Sequence, residues 1–367
     1  MEPPDSGSAT VQTRAVPVAT DPLAHLASRS PALYACVDPA RVAAARRDEL
    51  DGRIPLAVDF EEEAVGGRGN LYRRAQADPT ARITGIRTLF ALVSPTGSLE
   101  GLSPDVTVLD VLGGDGTLAR AIETLLPPGR RPSVLTSDIS AGMVRAARAY
   151  GLAALRQPAQ RLVLRDDCTD AVIIAYGTHH IPRQQRPDAF AEAFRVLRPG
   201  GRVAVHDFEA GSPTARWFAE VANRYSVAGH RHDHFTAAEL AGYLSELAGF
   251  GDVAVRRVYD PFVLTGPDPE ELPRRLGEHL LHMYGLVRVA EQHPGTDPAE
   301  RVFELARECF TGGDAWDGAG PRRVTISRNG IGSRNGTGWR IELPRVALVA
   351  TGTKPGRPPR GRALGRR

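Results

Sequence analysis

Apolar residues gather along this chain into short continuous runs, set between stretches of helical periodicity. Val106-Thr-Val-Leu-Asp110 passes into the glycine-rich turn Gly113-Gly-Asp-Gly116 and on into Thr117-Leu-Ala119, which reads as a buried strand whose turn opens a helix. Leu135-Thr-Ser-Asp138 reads as a second strand, one that ends in a carboxylate. Asp170-Ala-Val-Ile-Ile-Ala175, Arg202-Val-Ala-Val-His206 and Val253–Val258 read as later strands, and Val346–Thr351 as the closing one. Strands of this kind predict an open α/β sheet, in which ligands sit in the crevice beyond the carboxyl ends of the strands.

Helical patterns fill the remainder. Pro39–Arg46 and Ala81–Leu92 precede the first strand, and Ile83, Ile86, Leu89, Phe90 and Val93 share one face that should pack in the core. Pro269–Val289 and Pro298–Phe310 are helical, and Arg323–Leu343 predicts a hairpin turning near Asn329-Gly330 or Asn335-Gly336. Residues 1–20 are rich in Pro, Ser and Ala without periodicity, as in a disordered N-terminus. The expected division is then a helical cap over 21–103, a core over 104–266 completed by 344–353, an insertion over 267–343, and a basic disordered tail over 354–367. An insertion of that length shapes substrate entry, forms a homodimer contact or is structural decoration.

Charge bears on the cofactor. Gly114, Gly116 and Ala119 fit the G-x-G-x-x-G/A spacing and Asp138 stands at the distance of a ribose-binding acid, so the run alone is compatible with a dinucleotide. Asp110 and Asp115, however, put two carboxylates where a pyrophosphate needs bare backbone N–H groups. A ligand carrying an ammonium and a sulfonium suits that arrangement better, and S-adenosyl-L-methionine is such a ligand.

From Leu102 to Val263 the chain resembles the class I S-adenosylmethionine-dependent methyltransferases of the small-molecule type. Asp110-Val-Leu-Gly-Gly-Asp-Gly116 is similar to the family's D-x-G-x-G-x-G motif, and Asp138-Ile-Ser-Ala-Gly-Met143 to its acidic strand end. Asp170–Ile181 is similar to the fourth strand and its loop, and Phe194–Phe208 to the helix, turn and fifth strand that follow. The resemblance implies a Rossmann-like methyltransferase fold: a seven-stranded, mostly parallel sheet with an antiparallel last strand, an N-terminal helical cap and a large insertion before that strand. It implies a cofactor site of Asp110, Gly113, Gly114, Gly116, Asp138, Ile139, Met143, Gln157, Ala159, Tyr176 and Gly177. Two positions depart from the pattern. Leu112 stands where the turn usually has its first glycine, and Arg156-Gln-Pro-Ala-Gln160 lacks the acid that often meets the adenine amine, which leaves Gln157, Gln160 or backbone for that contact. Tyr72 and Arg73, just before the second cap helix, are candidate lid residues.

Methyl transfer from a sulfonium is an in-line displacement, so alignment supplies most of the acceleration, and a base is needed only where the acceptor loses a proton. Histidine suits that role near neutral pH. His180, His179 and His206, in that order, are the candidate catalytic residues, from the loop after the fourth strand and the end of the fifth, with Asp207 able to orient a histidine. His230-Arg-His-Asp-His234 is a loop before a helix; alternate residues there have no fixed ligand geometry and Arg231 is cationic, so no metal site is assigned, and the readings kept are a loop histidine lining the acceptor pocket or a solvated loop. Tyr176-Gly-Thr-His-His180 replaces the Asp/Asn/Ser-Pro-Pro-aromatic run of enzymes that methylate amino groups of bases or glutamine. That favours a small organic acceptor, a hydroxyl or an activated carbon on a secondary metabolite or quinone-like compound. An RNA-modifying enzyme and a non-catalytic binding module of the same fold are the alternatives.

Composition changes little in this picture. Arginine supplies nearly all the basic charge, with Lys354 the only lysine, a usage that fits a GC-rich bacterial genome. Six of the basic residues lie in the acid-free stretch 354–367, so the overall charge of +3 leaves −3 on the rest, and the tail is the only hint of nucleic-acid binding. Cys36, Cys168 and Cys309 form no C-x-x-C pair, which argues against a disulfide framework or zinc ribbon. With no signal-like or membrane-length apolar run, a cytoplasmic protein without a membrane partner is expected.

Overall fold

A computed structural model describes residues 22–51, 58–61, 67–310, 322–329 and 338–356. Its strands are β1 (Thr107–Asp110), β2 (Ser133–Asp138), β3 (Ala154–Arg156), β4 (Thr169–Ile174), β5 (Leu197–Asp207), β6 (Gly251–Tyr259), β7 (Phe262–Gly266), β8 (Thr325–Arg328), β9 (Trp339–Leu343) and β10 (Val346–Thr353). Seven of them form one sheet in the order β3-β2-β1-β4-β5-β10-β6. β1 through β5 are parallel, and β10 runs antiparallel to both β5 and β6. This is the seven-stranded arrangement that the resemblance implies, with the closing strand inserted between the fifth and the sixth. Strand order reverses beside β1, which pairs with β2 on one side and β4 on the other, and that point opens the crevice.

Alternate residues of each strand serve opposite faces, as the two-residue repeat requires. Val108, Ala171, Ala204 and Val349 pack on one side with the helix Ile83–Val93, whose Ile86, Leu89, Phe90 and Val93 are buried as its periodicity predicts. Leu109, Val172, Val203 and Leu348 pack on the other with Leu26 and Leu33 of the cap and with Phe190 and Leu244. Pro39–Leu50 starts where it does because Asp38 caps it, accepting from the Ala40 and Arg41 amides, and because proline fills the first helical position.

The excursion before β10 contains the helices Leu272–Tyr284, Arg288–Gln292 and Pro298–Cys309, and a second sheet ordered β7-β9-β8. The anticipated hairpin is β8 with β9, paired antiparallel as Thr325 with Glu342; its tip, with Gly330 and Asn335-Gly336, lies outside the described residues. β7 joins this small sheet through Phe262–Leu343 pairing and not the large one, although the boundary at 266 had grouped it with the core. Gly277 allows its helix to touch Pro298–Cys309, since a Cβ there would lie 1.8 Å from the Ala299 carbonyl oxygen. Lys354 does not start a free tail: its ammonium bonds to Asp167 at 2.7 Å and to the Leu197 carbonyl at 2.7 Å. The expected disordered segments 1–20 and 357–367 lie outside the described residues. No helix among the described residues is long and apolar enough to cross a membrane.

Candidate active site

The turn after β1 is built by backbone. Leu112 and Gly113 both donate to the Ser137 carbonyl, at 3.1 and 2.8 Å, and the Gly114 amide donates to Asp138 Oδ2 at 3.0 Å. Leu112 takes φ 130°, a value that ordinarily belongs to glycine, the residue the resemblance leads one to expect there. Gly113 and Gly116 are required by packing, because a Cβ would come within 2.6 Å of Asp110 Oδ2 and 2.2 Å of Leu152 Cδ1 respectively. Gly114, at φ 57°, faces open space with only Tyr72 at 4.0 Å.

The acids around this turn differ. Asp110 is buried with both carboxylate oxygens unpartnered among the described residues, and burial, with the Asp138 and Asp115 carboxylates beside it, pushes it up to about 8. Asp138 is pushed up to about 6 by burial, partly offset by the Ser140 and Gly114 amides. Asp115 corrects the charge argument: it is ion-paired to Arg120 at 2.9 Å and bonded to Thr117, so its charge is neutralised within the fold. The uncompensated carboxylates of the crevice are Asp110 and Asp138.

A cavity of about 390 Å³ lies beyond the strand ends, within the size range of small-molecule sites. Gly114, Asp138, Ile139, Met143, Gln157, Ala159, Tyr176, Gly177 and His180 line it; Asp110, Gly113 and Gly116 stand behind its wall. Gln157 Oε1 accepts from the Val163 amide at 2.8 Å, which leaves its buried Nε2 without a partner. Gln160 instead donates to Gln185 at 2.7 Å. Tyr72 lines the cavity and Arg73 does not.

A second pocket of about 40 Å³ adjoins it, and Phe60, Tyr72, Tyr176 and His180 line both. Its further wall includes His179, His230, Phe218, Tyr284, Arg82 and Arg345. His179 is held by Asp207, which accepts the His179 amide at 2.7 Å and meets Nδ1 at 2.9 Å; Nε2 is buried and unpartnered. Burial tends to raise Asp207, yet His179 and His234 hold it well below the usual carboxylate range. Burial and the surrounding histidines push His180 well below its ordinary value, so its imidazole is neutral at physiological pH. His206 is not brought to either cavity. Its ring lies behind Tyr176, with Nδ1 3.4 Å from the Tyr176 amide and Nε2 3.4 Å from Asp260.

A methyltransferase-domain family model matches residues 108–201, the segment that carries β1 to β5 as far as Gly201. The ubiquinone/menaquinone biosynthesis C-methyltransferases of Stutzerimonas stutzeri and Ectopseudomonas mendocina are each 31% identical to the chain, over 139 and 158 residues. These matches support a class I S-adenosylmethionine-dependent methyltransferase domain in this chain. They take in 36% and 41% of the chain and 52% and 56% of the two enzymes, so the chain spans about half the length of the curated relatives it matches. Phosphoethanolamine N-methyltransferase 2 of Haemonchus contortus superposes with a TM-score of 0.41 at 14% identity, over 79% of this chain and 60% of that one.

The site also contains cap residues that the sequence did not single out, and a histidine loop that it did. Asp59 and Phe60 of the cap enter the cavity, and Glu61 reaches the helix after Asp138, accepting from the Ala141 and Gly142 amides at 2.9 and 3.1 Å. His230, His232 and His234, read as a loop without ligand geometry, converge on His179 and His180 with ring centroids 4.4 to 5.8 Å away. The acid at 207, next to a histidine at the end of a strand, and the pair His179-His180 were the sequence signals that this end of the sheet was polar.

Proposed function

We propose that the protein transfers a methyl group from S-adenosylmethionine to a small organic acceptor, at a hydroxyl or activated carbon. The observation that carries this reading is the shared wall: His180, Tyr176, Tyr72 and Phe60 face both the large cavity and the aromatic pocket beside it. The residues present fit the cofactor. Asp138 has lone pairs left for ribose hydroxyls, Gln157 Nε2 is an unspent donor beside apolar Ile139, and the space over Gly114 admits a ligand against bare backbone. Asp138, which lines the cavity, favours a positively charged ligand when ionised.

When bound, S-adenosylmethionine supplies an electrophilic methyl on a sulfonium. The chain's own part is alignment, exclusion of water by Phe60, Tyr72 and Tyr176, and acceptance of a proton where the acceptor is a hydroxyl. His180 is placed for that last role, as a neutral imidazole on the shared wall; His179, oriented by Asp207, ranks next. The aromatic residues Phe60, Tyr72 and Tyr176 of the shared wall suit a flat acceptor, such as a quinone-like compound of secondary metabolism, seated in the large cavity. A cytoplasmic location is consistent with three buried, unpaired cysteines. Turnover of the acceptor by His180→Ala should fall by about 10²–10⁴-fold with cofactor affinity nearly unchanged, and Gly114→Val should abolish cofactor binding. Full activity in His180→Ala and His179→Ala alike would leave alignment alone as the mechanism.

A further inference from the structure

The small pocket of about 40 Å³ has three imidazoles in its wall: His179, His180 and His230. One ring nitrogen from each lies within 4.8 Å of the other two. Nitrogens that share a tetrahedral zinc at about 2.0–2.1 Å stand roughly 3.4 Å apart, so the triangle would draw in on a bound ion. Nε2 of His179 and Nε2 of His230 are both buried and have no hydrogen-bond partner among the described residues. His179 Nδ1 is already bound to Asp207, which turns its free Nε2 toward the pocket and sets its tautomer. His230 is fixed by stacking on Phe218, with ring centroids 4.1 Å apart and planes at 17°.

Two buried imidazole nitrogens left unmade are costly for a core of this kind, since each forfeits a hydrogen bond it had with water. A cation would satisfy both at once. We propose that His179, His180 and His230 form a binding site for a divalent transition metal of the zinc class, with Asp207 as the outer carboxylate that orients His179. Three imidazoles with one further position open toward ligand are the donor set of catalytic zinc, and a carboxylate behind a ligating histidine is its usual support. The pocket volume accommodates one ion with about one water. Carboxylate-rich sites for magnesium or calcium have a different donor set, and none of the three ligands here is an oxygen.

His180 belongs to both the metal pocket and the cofactor cavity, so the site adjoins the place where the acceptor is methylated. The inference to this extent rests on the proposed methyl-transfer reading: an acceptor oxygen on the open position would be made acidic by the metal, and the histidines would then serve as ligands in place of a base.

The test uses the full chain, stripped with a chelator and titrated calorimetrically with zinc chloride, and separately with S-adenosylmethionine. One zinc per chain is expected, and the cobalt(II) form should show the visible absorption of a four-coordinate nitrogen site. His230→Ala and His179→Ala should each weaken zinc at least tenfold, and Asp207→Asn by about 10–100-fold, while their S-adenosylmethionine affinity stays within twofold of the unsubstituted chain. His230→Asn, closer in shape, guards against loss of fold, which circular dichroism monitors. A chain that takes up no stoichiometric zinc, or a His230→Asn variant that binds zinc as tightly, overturns the metal site. Failure of S-adenosylmethionine to bind the unsubstituted chain instead removes the methyl-transfer reading and leaves the zinc result standing.

Discussion

Asp138 gives the sharpest quantitative expectation. Its Oδ1 accepts from the Ser140 amide at 2.8 Å and its Oδ2 from the Gly114 amide at 3.0 Å. A carboxylate has about four acceptor positions, so two remain for the cofactor's ribose hydroxyls. At 1.5–3 kcal/mol for each bond to a charged group, losing both costs about 3–6 kcal/mol, which is at least roughly 100-fold in affinity. Asp138→Ala also strips the two amides of their acceptor, so Asp138→Asn, which keeps one oxygen, is the cleaner partner variant.

The acid's position near 6 adds a signature in pH. With its pKa raised from the ordinary aspartate value, Asp138 is about 9% ionised at pH 5 and about 91% at pH 7, so ionisation alone makes binding about tenfold tighter at pH 7. Isothermal titration of S-adenosylmethionine from pH 5 to 7 reads both effects. An affinity in Asp138→Ala equal to the wild type, or the same pH slope in Asp138→Asn, would refute the assignment of the ribose contact.

Two further expectations concern stability. Asp110 is pushed up to about 8, so the folded chain prefers its neutral acid and loses stability as pH rises from about 4 to 8; Asp110→Asn should flatten that decline, seen in denaturant midpoints across the range. An unchanged pH profile would mean that Asp110 is ionised in the fold. Gly277→Ala, whose Cβ would meet the Ala299 carbonyl at 1.8 Å, should part the helices Leu272–Tyr284 and Pro298–Cys309 and cost about 1–3 kcal/mol or more by thermal melting; no loss would show that these helices have room to shift.

The cofactor half was legible because its parts are local. A strand, its turn and the acid at the end of the next strand lie within some thirty residues, and nine of the proposed site residues line one cavity as their order implied. Asp115 was misread for a local reason too: Arg120, five residues on and one helical turn away, neutralises it. The acceptor half is long-range. The loop 230–234 reaches His179 across a gap of about fifty residues, and β7 pairs with a strand some eighty residues later, neither of which a periodic pattern records. Leu112 shows the converse, a residue type that argues against the turn it nonetheless adopts, held there by the Leu112 and Gly113 amide bonds to the Ser137 carbonyl.

The position of β10 has a consequence for how the protein is made. β6 pairs with no strand of the large sheet except β10, and β10 also supplies the second neighbour of β5. As the chain leaves the ribosome, β5 and β6 emerge and wait, each with an open edge, while the helices and small sheet of 262–343 are synthesised. The cofactor end can assemble early from β1 to β5. The other end of the sheet is complete only when Val346–Thr353 is seated between β5 and β6, a non-local pairing of the kind that slows folding.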